Sequence, residues 1–154
     1  MENLTTLDKA IRLQKVELFR DLETDGLALA ASIAAQLQFS AGSVLFQENG
    51  PADALYIVLE GRVQLSRGGR EIFATGVGET LGNWALFDEQ PSLATATCVE
   101  DTSVLKIERE DFFDLLADHA EMTQTMFKAL VKRVRSLLAL GLQAEQAGGG
   151  ARNA

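Results

Sequence analysis

The sequence predicts an α+β domain: an antiparallel β centre built as a barrel or jelly roll, helices before it and a long helix after it. Three observations carry this reading. Apolar residues recur at helical spacing near the N-terminus and again beyond Arg109. Between these regions the period changes to the alternation of half-buried strands, cut by turn signals into short segments about ten residues apart. The chain of 154 residues is 47% hydrophobic, enough for a single buried core.

Thr5 to Val16 reads as a short amphipathic helix capped by Thr6, with Leu7, Ala10, Ile11 and Leu13 on one side and Asp8, Lys9, Arg12 and Lys15 opposite. The apolar residues of Val16 to Leu22 then plug one end of the core. A second helix is expected from about Asp25 to Ala35, its alanine face (Ala28, Ala30, Ala31, Ala34, Ala35) allowing close packing on a sheet. From Leu37 the strand pattern begins, with Leu37, Phe39, Val44, Phe46, Leu55, Ile57, Leu59, Val63, Leu65, Ile72 and Ala74 alternating with more polar positions. Turns fall at Ala41-Gly42, Asn49-Gly50-Pro51, Glu60-Gly61, Gly68-Gly69 and Gly76-Val77-Gly78. At Asn49-Gly50-Pro51, Gly50 tolerates a positive φ and Pro51 fixes the next one. Two more strands follow, Thr95 to Val99 and Ser103 to Glu108. Arg109 to Ala117 and His119 to Gln143 are helical, Met122 and Met126 closing over the barrel mouth. Gln146 to Ala154, with three glycines in a row, reads as a flexible tail. The resulting division is an N-terminal helical segment over 1–24, a domain over 25–145 with its β-roll at about 37–108 and its C-terminal helices at 109–145, and a tail over 146–154.

Composition excludes several classes of function. A net charge of −8 opposes general affinity for nucleic acid. Lys128, Lys132, Arg133 and Arg135 read as the solvated face of a helix, with no helix-turn-helix beyond them. No apolar run approaches the roughly 20 residues of a membrane span, and the N-terminus lacks a secretory pattern, so a cytoplasmic location is expected. Cys98, the only cysteine, reads as a buried small hydrophobe. His119 is the only histidine, and no spacing assembles a nucleophile with its base or a set of metal ligands. An enzyme is not expected.

One run carries a resemblance. Gly82-Asn83-Trp84-Ala85-Leu86 followed by Pro91-Ser92-Leu93-Ala94-Thr95 is similar to the phosphate-binding cassette of cyclic nucleotide-binding domains. That pattern reads Gly-Glu-hydrophobic-Ala-Leu, then Pro-Arg-small-Ala-Thr. Further pieces agree in order: Leu18 to Leu22, Gly42 to Asp53, Leu55 to Val63, and Asp101 to Ile107 with Asp111-Phe112-Phe113. The resemblance spans Leu7 to roughly Leu138 and implies a jelly roll flanked by N-terminal helices and a long C-terminal helix. It also places a cassette at 78–95 and implies a regulatory module binding cyclic AMP or cyclic GMP between barrel and cassette.

The residues that would hold such a ligand are changed. Asn83 stands where the family has a Glu for the ribose hydroxyl, and Ser92 where it has an Arg for the cyclic phosphate. The candidate site is therefore Gly82, Asn83, Trp84, Ala85, Leu86, Ser92, Leu93 and Ala94, a degenerate cassette. Losing two charge-assisted contacts costs about 3–6 kcal/mol in total. That is roughly 10²- to 10⁴-fold in affinity. Asp88 and Glu89 add negative charge nearby, while Arg62, Arg67 and Arg70 read as solvated hairpin residues. Cyclic AMP and cyclic GMP are thereby disfavoured, though another small-molecule effector stays open. Trp84 either stacks on a purine or caps the core, the second being preferred; Tyr56 reads as structural.

In the last helix Phe127, Leu130, Val134 and Leu137 recur at coiled-coil spacing, widened by Val131 and Leu138 and extended by Leu140 and Leu142. This stripe either packs back on its own domain or forms a homodimer or partner surface. Three readings of function follow: a ligand-blind regulatory or oligomerisation module, a ligand sensor signalling through its C-terminal helices, and the effector half of a transcription regulator.

Overall fold

A computed structural model describes residues 2–152. Helix α1 spans Thr6–Gln14 and is followed by a single 3-10 turn at Glu17–Phe19; α2 spans Thr24–Ser32. Eight strands follow: β1 (Ala35–Phe39), β2 (Val44–Phe46), β3 (Ala54–Glu60), β4 (Val63–Arg67), β5 (Arg70–Thr75), β6 (Thr80–Leu81), β7 (Thr95–Cys98) and β8 (Thr102–Glu108). A 3-10 turn at Asn83–Leu86 interrupts them, and helices α3 (Arg109–Asp118) and α4 (Ala120–Arg152) close the chain. The strands form two antiparallel four-stranded sheets, in the orders β1-β8-β3-β6 and β2-β7-β4-β5. This is the α+β jelly roll that the sequence predicts.

Local chemistry sets the first cap one residue earlier than expected, and α1 runs Thr6–Gln14 within the expected Thr5 to Val16. The cap of α1 is Thr5, not Thr6, because only Thr5 has an acid three residues on. Asp8 N–H donates to Thr5 Oγ1 at 3.1 Å, and Thr5 N–H donates to Asp8 Oδ2 at 3.1 Å. The Thr5 N–H bond to the carboxylate, aided by the Thr5 hydroxyl, holds the Asp8 pKa below its usual value. Only Leu13 of the expected apolar face is fully buried; Leu7 (69%) and Ile11 (48%) stay exposed. Helix α2 ends at Ser32, so Ala35 opens β1 rather than closing the helix, and Ala28 is exposed. In the Asn49-Gly50-Pro51 turn it is Asn49 that takes the positive φ, 64°, a conformation Asn also tolerates.

The molecule packs as three layers: helices, first sheet, second sheet. Leu55, Ile57, Leu59, Leu105 and Ile107 of the first sheet meet Leu13, Phe19, Ala30, Ala31 and Phe112 from the helical side. Ala54, Tyr56, Val58 and Val104 point the other way, onto Val63, Leu65, Ala96 and Cys98 of the second sheet. Strand β3 is therefore buried on both faces from Ala54 to Leu59, not on the single face that alternation implies. The helices covering its outer face are a tertiary feature, invisible to a period-2 pattern. Met122 and Met126 belong to the helical-side core and do not cover the barrel mouth. Leu13, Val16, Phe19 and Leu22 of the N-terminal segment share that core.

Helix α4 continues through the glycines to Arg152, so the tail expected from Gln146 is helical as far as that residue; Asn153 and Ala154 lie outside the described residues. Once nucleated, a helix gains one hydrogen bond per added residue, which offsets the cost of about 1 kcal/mol for each glycine. Among the described residues no helix is long and apolar enough to cross a membrane.

Candidate functional site

Gly82 ends β6 and opens the cassette with φ at +80°, in the left-handed region that favours glycine. A Cβ there would lie 2.5 Å from the Ala54 carbonyl oxygen, so the close approach of cassette to β3 requires glycine. After Gly82 the chain makes a 3-10 turn of four residues, Asn83–Leu86, with Ala85 N–H donating to Gly82 O at 3.0 Å. One such turn aligns too few peptides to present a substantial dipole to an anion. Ala85 is buried and lines the cavity described below. Leu86, expected in the site, does not: it is wholly buried in the helical-side core, facing away from the cavity. The Trp84 side chain lies outside the described part of the structure.

Ser92 is 7% exposed and its hydroxyl is already used. It donates to Ala94 O at 2.7 Å and accepts from Ala94 N–H at 3.3 Å. Its backbone ties the cassette to the Asn49-Gly50 turn: Ser92 N–H donates to Gly50 O at 2.9 Å, and Ser92 O accepts from Asn49 N–H at 2.8 Å. Ser92 thus shapes the loop at the position where the resemblance leads one to expect an arginine. Asn83 is half-buried, and its Oδ1 is enclosed without a hydrogen-bond donor. Leu93, 74% exposed, sits on the rim, and Ala94 completes the wall.

These residues enclose one side of a cavity of about 900 Å³ between barrel and cassette. That is within the range of small-ligand sites. Its barrel wall is Leu45, Phe46, Ala54, Tyr56, Leu65, Phe73 and Leu81. The Phe46 and Tyr56 rings lie 6.0 Å apart, centroid to centroid. The charged residues among the described lining are Asp53 and Asp88; no lysine or arginine lines it. Burial raises the Tyr56 hydroxyl's pKa above its ordinary value, making it a weaker acid; Lys106 works against this and Asp53 with it. Lys106 Nζ stands 5.7 Å from the Tyr56 ring centroid and pairs with Glu108 at 3.5 Å. Arg62, Arg67 and Arg70 are exposed, as expected of hairpin residues.

Sequence reasoning missed Arg109. Its Nη1 donates to three backbone carbonyls, Ala52 O at 3.0 Å, Ala85 O at 3.1 Å and Asp88 O at 2.6 Å, all from residues that line the cavity. Its own N–H donates to Asp53 O at 2.8 Å. The first residue of α3 therefore clamps the cassette to the loop before β3. The available signal was its position: a cation in the first turn of a helix opposes the dipole and must find its partners elsewhere.

Cys98 lies in the core between the sheets, and burial pushes its thiol up, partly offset by a hydrogen bond with Thr102. His119 is the C-cap residue of α3, between α3 and α4. Among the described residues no group of His, Cys, Asp and Glu could hold a metal ion. On α4, Lys132 faces Asp21 at 3.7 Å and Arg133 bonds Glu17, surface pairs of small energetic weight.

The expected seam of α4 is split. Leu130 is half-buried and lines a second cavity of about 110 Å³ beside Val16, Asn83 and Phe87. Phe127 (66%), Val134 (54%) and Leu137 (54%) are exposed, as are Val131 (53%) and Leu138 (62%). The stripe does not pack back on its own domain: Phe127, Val131, Val134 and Leu138 form an outward line at steps of four, three and four, with Leu130 turned inward.

A sequence profile described as the cyclic nucleotide-binding domain matches residues 36–119. The chain is 27% identical over 128 residues to a CRP-like cAMP-activated global transcriptional regulator of Mycobacterium tuberculosis, a match covering 80% of this chain and 57% of that protein. It is 32% identical over 123 residues to the cyclic AMP receptor protein of Thermus thermophilus, covering 77% of this chain and 57% of that protein. The chain thus spans just over half the length of both. Among solved structures, the N-terminal domain of a transcriptional regulator from Streptomyces coelicolor superposes with a TM-score of 0.76 at 30% identity, covering 82% of this chain and 94% of that one.

Proposed function

This chain belongs to the cyclic nucleotide-binding domain family, and we propose that it is a non-enzymatic regulatory module whose affinity for cyclic AMP and cyclic GMP is weak or lost. One observation carries the reading: the described lining of the cavity holds two carboxylates and no cation, while the Ser92 hydroxyl is committed to Ala94. A cyclic phosphate entering this site would leave water, gain no charge-assisted partner and meet Asp53 and Asp88.

Calorimetric titration with cyclic AMP and cyclic GMP tests this. No heat of binding is expected at micromolar ligand; micromolar binding would overturn the reading. The double variant Asn83→Glu, Ser92→Arg should regain affinity by roughly 10²- to 10⁴-fold. Ser92 already lines the cavity, so a long side chain there has room to reach inward.

A second reading, an effector-sensing domain of a transcription regulator, is favoured by the two regulators it resembles and by the Arg109 clamp. Displacing the cassette would move Ala85 and Asp88, and through Arg109 the start of α3, which leads directly into α4. The outward apolar line of α4 supports a homodimer through this helix, because such a stripe is more apolar surface than monomers ordinarily expose. Sedimentation at micromolar concentration is expected to show a dimer, and Val134→Asp with Leu138→Asp a monomer of unchanged circular dichroism. A monomeric unmutated protein would remove the dimer proposal.

A further inference from the structure

We propose that the cavity between barrel and cassette takes an uncharged, mainly apolar small molecule. This rests on the reading that the cyclic phosphate anchor is gone, and goes beyond it by naming what the site accepts. The interior is apolar and aromatic, built from Phe46, Tyr56, Leu65 and Leu81. The rim carries Phe73 and Leu93, exposed by 52% and 74%, large apolar side chains that a ligand seated in the mouth would cover. A cavity of about 900 Å³ with these walls is roomy enough for a small molecule and rewards apolar surface brought into it.

Charge selects within that class. Asp53 and Asp88 repel an anion, and Asp53 lies close enough to Tyr56 to act on its hydroxyl. The cation nearby, Lys106, is paired with Glu108 and is not part of the described lining. Both aspartates are exposed and therefore solvated, so they reject negative charge without providing a desolvated anchor for a positive one. Polar recognition falls instead to Asn83, which lines both cavities; its Oδ1 is enclosed and unpartnered, so a ligand reaches it as the carboxamide turns into the larger cavity. An amide at that place suits a hydroxyl or carbonyl on an otherwise apolar ligand.

The test is a chemical-shift titration of the ¹⁵N-labelled protein with 1-octanol, octanoate and octylammonium, three probes with one alkyl body and different charge. Octanol is expected to shift the amides of Phe46, Tyr56, Ala85 and Leu93 saturably. Octanoate and octylammonium are expected to bind at least about tenfold more weakly, a difference of about 1.4 kcal/mol. Phe73→Asp and Leu93→Asp, both at exposed positions, should each abolish the octanol shifts while leaving the remaining spectrum in place. Asp53→Lys should draw octanoate to within threefold of octanol. Octanoate or octylammonium binding as tightly as octanol to the unmutated protein would overturn the proposal, as would octanol shifts absent from the cavity wall. Cyclic AMP run in parallel separates the two claims. Micromolar cyclic AMP binding defeats the lost-anchor reading, whereas silence from both cyclic AMP and octanol defeats only this inference.

Discussion

Phe112→Ala is expected to destabilise the domain by about 3–5 kcal/mol, a large part of the 5–15 kcal/mol typical of whole domains. Phe112 is wholly buried on α3, and its ring meets three others. Phe19 from the N-terminal segment lies at 6.0 Å edge-on, Phe87 from the cassette at 5.8 Å edge-on, and Phe113 at 6.5 Å. One side chain thus joins the N-terminal helices, the cassette and the hinge between barrel and α4. Urea unfolding of Phe112→Ala should show the lowered midpoint with an unchanged slope. Phe113→Ala, at a position 42% exposed, is the control and should lose less than half as much. Equal losses at the two positions would mean that the ring cluster is not what holds α3 down.

Arg109→Met should cost about 2–4 kcal/mol and loosen the cassette specifically. The Nη1 atom has two protons for its three acceptors, so at least one of the three bonds is shared and the energies do not simply add. Methionine keeps much of the stem but leaves the Ala52, Ala85 and Asp88 carbonyls to find water. Hydrogen exchange should rise across residues 82–90 while β3 and β8 keep their protection. Arg109→Lys should recover part of the stability, since an ammonium keeps the charge but not the planar fork. Uniform exchange across the whole domain in Arg109→Met would show a general loss of packing, not a released clamp.

Residue types that act locally were legible in the sequence. The glycine turns divide the strands correctly, and Gly82, marked by the resemblance as the cassette's first residue, takes the positive φ that few other residues tolerate. The cassette frame and the changes at Asn83 and Ser92 are legible only through the resemblance to the cyclic nucleotide-binding pattern. What escaped depends on partners distant in the chain. Leu86 has the same apolar character as a cavity residue, and only the helices behind the cassette decide that it faces away. Leu130 and Val131 are adjacent and both aliphatic; the segment around Val16 and Phe87 determines that the first turns inward. Arg109 could be found only once its three acceptors had been brought together from Ala52, Ala85 and Asp88. The helical continuation of α4 past Gln146 ran against composition, since three glycines argue for a loose chain.

The double burial of β3 has a consequence for how the chain finds this fold. A strand with water on one face is aligned by polarity, because a slip of one residue throws its apolar set into solvent. Here the same slip would exchange Leu55, Ile57 and Leu59 for Ala54, Tyr56 and Val58, and neither arrangement exposes anything costly. Alignment must then come from the end of the strand. The ladder with β8 shifts between Val58 and Glu60, and Gly61 follows at φ +93°, where a Cβ would lie 2.5 Å from the Asp101 carbonyl oxygen. That steric lock fits one alignment alone. Weakening it with Gly61→Ala should therefore favour compact, mispaired isomers of the sheet over an unfolded chain, trapping the protein among near-native alternatives that share its secondary structure.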